Sequence, residues 1–227
     1  ISATPCALKV IYVEDPVPQL ESLMTRLEER LLLRPHRRQK LSQRIYRFGD
    51  AILSLRELEF TGSARSGPIP DRVRKLIGEM LDRQELQFGV RRKSNFPPER
   101  VKELRRRHID RMHSSPVPER EELEAIRSAM EELFTIIQMY SYPGDYVSSC
   151  PSVERLAETL DKFEEDVFRV PYPAIRGARR VVVRFGESVT LAADKSEQPT
   201  AAELSKMMEV RVQQLIDEIN RDYPPRL

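Results

Sequence analysis

The sequence predicts a mainly α fold: a multi-helix domain inserted between strands of a small β-sheet remnant, with α/β character only at the two ends. Three observations predict it. "TPCALKVIYV" at 4–13 and "RVVVRFGESVTL" at 180–191 are the strand-like stretches, rich in β-branched and aromatic residues. Between them, apolar residues recur at helical spacing in segment after segment, and Pro punctuates the segments. Eight Gly in 227 residues leave little material for turn-rich β structure.

Each element has its own reason. Residues 6–13 read as a strand. Pro18 suits the first turn of a helix over 18–33, where Leu20, Leu23, Met24, Leu27 and Leu31 share a face. "RPHRR" ends it, because the residue before Pro35 is pushed out of α space. A second helix is expected over 38–60, with Leu41, Ile45, Phe48, Ile52 and Leu55 inward. "TGSARSGPIP" is a loop. Pro70 opens a third helix carrying Val73, Leu76, Ile77, Met80 and Leu81. Pro98 opens a fourth with Val101, Leu104 and Ile109. Pro118 opens a fifth with Leu123, Ile126, Met130, Leu133 and Ile137. "SYPGDYVSSCPS" stops that helix, and Ser152 caps a sixth with Val153, Leu156, Leu160, Phe163 and Val167 inward. "VPYPAIRGA" is not helical, and strands follow at 179–185 and 188–192. "TAAE" at 200–203 is a capping box that starts the last helix, with Leu204, Met208, Leu215 and Ile219 on one face and "YPP" at its end.

Composition narrows the function classes. Hydrophobic residues at 40% and charged residues at 33% fit a globular chain with a heavily solvated surface. A net charge of +2 gives no compositional argument for nucleic acid. No apolar run approaches the ~20 residues that cross a bilayer, and no secretion pattern opens the chain. The expected location is cytoplasmic, with room for a peripheral place on the inner membrane. Cys6 and Cys150 read as reduced thiols acting as small hydrophobes, not as a disulfide.

The search for chemistry is short, because only three His are present. His36 stands in a cationic loop and reads as solvent-exposed. His108 and His113 are five apart, about 140° around a helix, so one face cannot bring both to a metal. No nucleophile elbow and no phosphate-cradling Gly-rich loop occurs. The pairs Glu131–Glu132 and Glu164–Glu165 read as solvated helix surface. The pattern calls for no catalytic residue, no metal and no cofactor.

The segment 91–113 holds nine Lys/Arg against three acids. Three readings stand open. Its charge can match the acid-rich stretch 119–132 on the next helix, which a short turn makes antiparallel. Arg105, Arg106 and Arg107 can rest on an anionic membrane surface. They can also meet nucleic-acid phosphates, although few aromatics accompany them, which argues against single strands.

Lone strands at the two ends would leave backbone donors and acceptors unpaired. The expectation is that they pair with each other or with strands of a longer protein, and that Leu8, Val10 and Tyr12 share a side with Val181, Val183 and Phe185. That divides the chain into 1–14 plus 178–227, a sheet remnant with the C-terminal helix, and 15–177, a helical insertion. The strand-like start at Ile1 without a Met carries the same expectation of a longer protein.

These end segments resemble one family. Pro5 followed by Cys6, Ala7 and Leu8 is similar to the strand opening "V-P-V-A-L" of phospholipid/glycerol acyltransferases of the lysophosphatidic acid acyltransferase type. Val181, Val183, Phe185, Gly186 and Leu191 match their later "V-x-V-x-F-G-x-P-I-x-L", with Ser188 and Val189 where Pro and Ile are usual. The capped helix resembles their C-terminal helix. The matching parts span 3–14 and 178–221. The resemblance implies a role in phospholipid biosynthesis and an acyl-CoA or acyl-carrier donor bound through other parts of a longer chain. It implies one substrate-binding residue here, Pro5. The family's catalytic His and Asp have four residues between them. Here His36, His108 and His113 lead to Leu41, His113 and Pro118, and the Arg-containing phosphate motif is not recognisable. The chain then reads as a non-catalytic C-terminal part. The alternative is a stand-alone helical interaction module without enzymatic activity.

Overall fold

The computed structural model describes residues 2–142, 144–149, 151–194 and 198–226. Cys150 therefore lies outside the described residues. In chain order the elements are β1 (Ser2–Ala3), β2 (Cys6–Tyr12), α1 (Val17–Arg30), α2 (Leu41–Thr61), α3 (Ile69–Gln87), α4 (Pro97–Met112), α5 (Arg120–Tyr140), α6 (Tyr146–Ser149), α7 (Val153–Phe168), β3 (Arg179–Phe185), β4 (Val189–Thr190) and α8 (Ala201–Asp222). The mainly helical class with strands at both ends is what forms. The chain divides into two compact units, Ile1–Ile45 with Cys150–Leu227, and Tyr46–Ser149. The sequence reading put its boundaries at 14 and 178 instead.

In the first unit the strand segments pair with each other. β2 runs antiparallel to β3, with Leu8 opposite Val183, Val10 opposite Val181 and Tyr12 opposite Arg179. β1 pairs with β4 in the same sense. The Val13 N–H donates to the Ala178 carbonyl at 2.8 Å, which prolongs the ribbon by one bond. α8 covers one face: Leu215 and Ile219 pack with Ala7 and Val182. Two polar clamps hold α8 there. Lys9 Nζ donates to Asn220 Oδ1 at 2.8 Å and to the Tyr223 carbonyl at 2.6 Å. Arg184 pairs with Glu218 at 3.2 Å and with Asp222.

α1 packs against α7. Leu20, Leu23, Met24 and Leu27 are buried on the first, Leu156, Ala157, Leu160 and Phe163 on the second. Burying each of the Leu, Met and Phe side chains contributes roughly 1.5–3 kcal/mol. Ser152 caps α7 as expected, its hydroxyl accepting from the Arg155 N–H at 3.4 Å. The Thr200–Glu203 capping box of α8 also forms, both bonds present.

The second unit is a helical bundle. Its core joins Leu53 of α2, Ile69, Val73, Leu76, Ile77, Met80 and Leu81 of α3, Val101 and Leu104 of α4, and Leu133 and Ile136 of α5.

Three expectations about facing and one about a helix start are corrected. Leu55 of α2 is 53% exposed, while Leu53 and Glu57 are buried. The cause is Arg72 of α3, which donates to Asp50, Ser54 and Glu57 and so turns that lane of α2 inward. Ile109 of α4 is 45% exposed, and His108 is buried in its stead. His108 lies edge-on to Phe88, centroids 4.3 Å apart, in a place only one residue around the helix from Ile109. Glu164 is buried rather than solvated, because Arg176 pairs with it. Pro118 precedes α5 instead of opening it, since Glu119 is the N-cap.

Candidate functional site

Two places concentrate what the sequence singled out. The first is the end of the β2–β3 ribbon. The Gly186 N–H donates to the Pro5 carbonyl at 2.9 Å, just past the Cys6–Phe185 pair. A Cβ on Gly186 would stand 2.9 Å from Pro5 Cγ and 3.3 Å from Leu215 Cδ1. Gly is required there by close approach, not by a special backbone angle. Pro5 is buried in this junction.

The two faces of the ribbon differ. One lies under α8. The other carries Leu8, Val181, Val183 and Phe185, which are 60%, 53%, 45% and 72% exposed. Leu8, Val10 and Tyr12 do share a side with the β3 residues, but only its Tyr12 end is covered, with Tyr12 buried. Among the described residues each strand of the ribbon has one strand partner, so its outer edges have no strand beside them there. Cys6, on the same side as Leu8, is free and exposed.

The second place is the outer surface of α4. Arg106 pairs with Glu103 at 2.8 Å and Asp110 at 2.9 Å, and Arg107 with Glu103 at 3.2 Å. The Arg106 guanidinium holds the Glu103 carboxyl down to about 2. Arg105 is exposed and has no acid within ion-pair distance among the described residues. The expected charge match with α5 is confined to its near end, where Arg111 binds Glu122 at 2.5 Å. Arg92 and Arg100 turn to α3 instead, where Arg100 meets Asp82 at 2.6 Å and Glu85 at 2.7 Å.

The remaining titratable groups hold the fold together. Arg176, 5% exposed, bonds Asp161 at 2.5 Å and Glu164, and the Ala174 N–H donates to Glu164 at 3.0 Å. This ties the Pro-broken segment before β3 to α7. Burial pushes the Asp161 carboxyl and the Tyr12 hydroxyl up. Burial pushes the His108 imidazole down, and its Nε2 has no hydrogen-bond partner. His36 and His113 are exposed, so His108 and His113 sit in opposite environments. No group of three His, Cys, Asp or Glu able to hold a metal occurs among the described residues. A shallow groove on α8 is lined by Glu203, Met207, Val210 and Gln214, all on one helix. None of these arrangements puts a nucleophile beside a base.

Sequence reasoning missed the contact between Pro5 and Gly186, although both stood in the motifs it quoted. It also missed the buried Arg clusters, for which spacing alone holds no signal. No family model, no curated protein and no solved structure matches this chain.

Proposed function

We propose that this chain is a non-catalytic C-terminal part of a phospholipid/glycerol acyltransferase, at the cytoplasmic side of the inner membrane. Its ribbon and α8 would complete the sheet of a catalytic body that binds the acyl-CoA or acyl-carrier donor. The observation that carries the reading is the junction of Pro5, Gly186 and Leu215. Three stretches resembling the family separately, at the start of the chain, at the end of β3 and in α8, converge there, with the Gly186 N–H donating to the Pro5 carbonyl at 2.9 Å and Leu215 beside the glycine. Pro5 would set the end of the sheet on the donor side by fixing the Gly186 turn. The uncovered apolar side of the ribbon supports the reading as well, since such a face calls for a cover. It equally suits the second reading, a helical interaction module without chemistry.

Acyl transfer from labelled acyl-CoA to lysophosphatidate separates the two. The full natural protein that carries this chain should turn over, Gly186→Val should reduce turnover there, and residues 1–227 alone should be inactive. Turnover by residues 1–227 alone would show that the catalytic groups lie within them. No turnover by the natural protein would favour the interaction module.

A further inference from the structure

We propose that the outer stripe of α4, Lys102, Arg105 and Ile109, is a contact for an anionic lipid surface. These residues stand at i, i+3 and i+7, one line along the helix, and Met112 continues it at i+10. Lys102 and Arg105 are exposed, and neither has an acid within ion-pair distance among the described residues. Ile109 lies between them and the helix end, 45% exposed. Val117, 75% exposed, follows in the next turn of chain.

The acids of α4 avoid this line. Glu99, Glu103 and Asp110 stand at i, i+4 and i+11, a separate lane around the helix. Two of them are already neutralised: Glu103 by Lys93, Arg106 and Arg107, Asp110 by Arg106. The stripe therefore presents cations and one apolar side chain with no carboxylate between them. That is the pattern of a helix lying on a bilayer, where long basic side chains reach the lipid phosphates and the apolar one enters below them. A convex stripe that ends in an isoleucine offers a nucleic acid neither a groove nor a stacking platform. The inference gives the peripheral membrane placement proposed above its physical basis. Its test involves no acyl transfer, so the two stand or fall separately.

The test is cosedimentation of the chain with vesicles of phosphatidylcholine, with and without phosphatidylglycerol. Binding should need the anionic lipid and weaken with salt. Lys102→Ala and Arg105→Ala should each weaken it roughly five-fold, the effect of one basic residue near a charged surface. Ile109→Gln should weaken binding to vesicles and leave binding to heparin unchanged. Arg120→Ala, a charge removed from a 91% exposed position on α5, should change nothing. All four positions are exposed on helices, and matching thermal melts will show that the fold is intact. The proposal is overturned by no binding, by equal binding to neutral vesicles, or by losses as large in Arg120→Ala. Tighter binding to duplex RNA than to vesicles at equal salt also overturns it, in favour of nucleic acid.

Discussion

At Gly186 a single hydrogen atom decides the packing. A methyl group would press on Pro5 Cγ at 2.9 Å and Leu215 Cδ1 at 3.3 Å, and the proline ring cannot swing aside as a flexible chain end can. Gly186→Ala is therefore expected to cost about 1–3 kcal/mol, the usual range for overpacking. Gly78, within α3, has nothing within 4 Å of a built Cβ. Gly78→Ala should stabilise by up to about 1 kcal/mol, through helix propensity alone. Urea titrations of the two variants should move in opposite directions. His108 gives a second residue-scale test. Burial lowers its folded-state pKa below the ordinary 6.5, so below pH 6.5 the unfolded chain binds more protons than the folded one. Its contribution is fully present above pH 6.5 and is lost as pH falls from there towards the folded value, at no more than about 1.4 kcal/mol per pH unit. His108→Leu should flatten that part of the stability profile between pH 7 and 5. An unchanged slope would mean that the imidazole charges without cost. Neither residue was legible in this role. Gly186 stands inside a strand-like motif that does not name its neighbours, and the spacing of His108 speaks only to metal ligation.

Among the elements, helix positions were readable because apolar spacing and Pro punctuation act locally. Which lane of a helix turns inward was less readable. In α2 the apolar periodicity continues from Phe48 to Ile52 and Leu55, yet Leu53 and Glu57 are the residues buried there, and Arg72 holds Glu57. A long-range ion cluster overrode the local pattern, and nothing within α2 announces its partner in α3. The same applies to the segment before β3, where Arg176 joins Asp161 and Glu164 of α7. Removing the cation leaves two carboxylates at 20% and 8% exposure without their ion-pair partner. Arg176→Met is expected to destabilise by about 3–5 kcal/mol, the cost of breaking a buried pair. Arg120→Met, in an exposed pair, should cost under about 1 kcal/mol. Thermal melts of the two variants compare them directly, and equal losses would show that the Arg176 cluster is not worth more than a surface pair.

For the molecule as a whole, the pairing of its two end strands was legible because unpaired backbone groups at both ends had no other economical outcome. The extent of the inserted part was not, because α1 and α7 read like any other amphipathic helices. Their buried faces nevertheless meet each other, and α7 also reaches β2. This decides what can be cut away. Removing 46–149 and joining 45 to 150 through a short Gly/Ser linker keeps α1, α7, α8 and the ribbon, and retains every contact of the first unit described above. It also shortens the loop that the Tyr12–Arg179 pair closes, which lowers the closure cost by roughly 1 kcal/mol. That variant should melt cooperatively with strand signal retained. Removing 15–177 strips away α1 and α7, and with them the whole Arg176–Asp161–Glu164 cluster and the contact of α7 with β2 beside Tyr12. What is left is a ribbon with one helix, too small a core to hold two strands in water. Circular dichroism and sedimentation should find it unfolded or aggregated. If the second deletion folds as well as the first, α1 and α7 are passengers of the sheet and the boundaries at 14 and 178 are the physical ones.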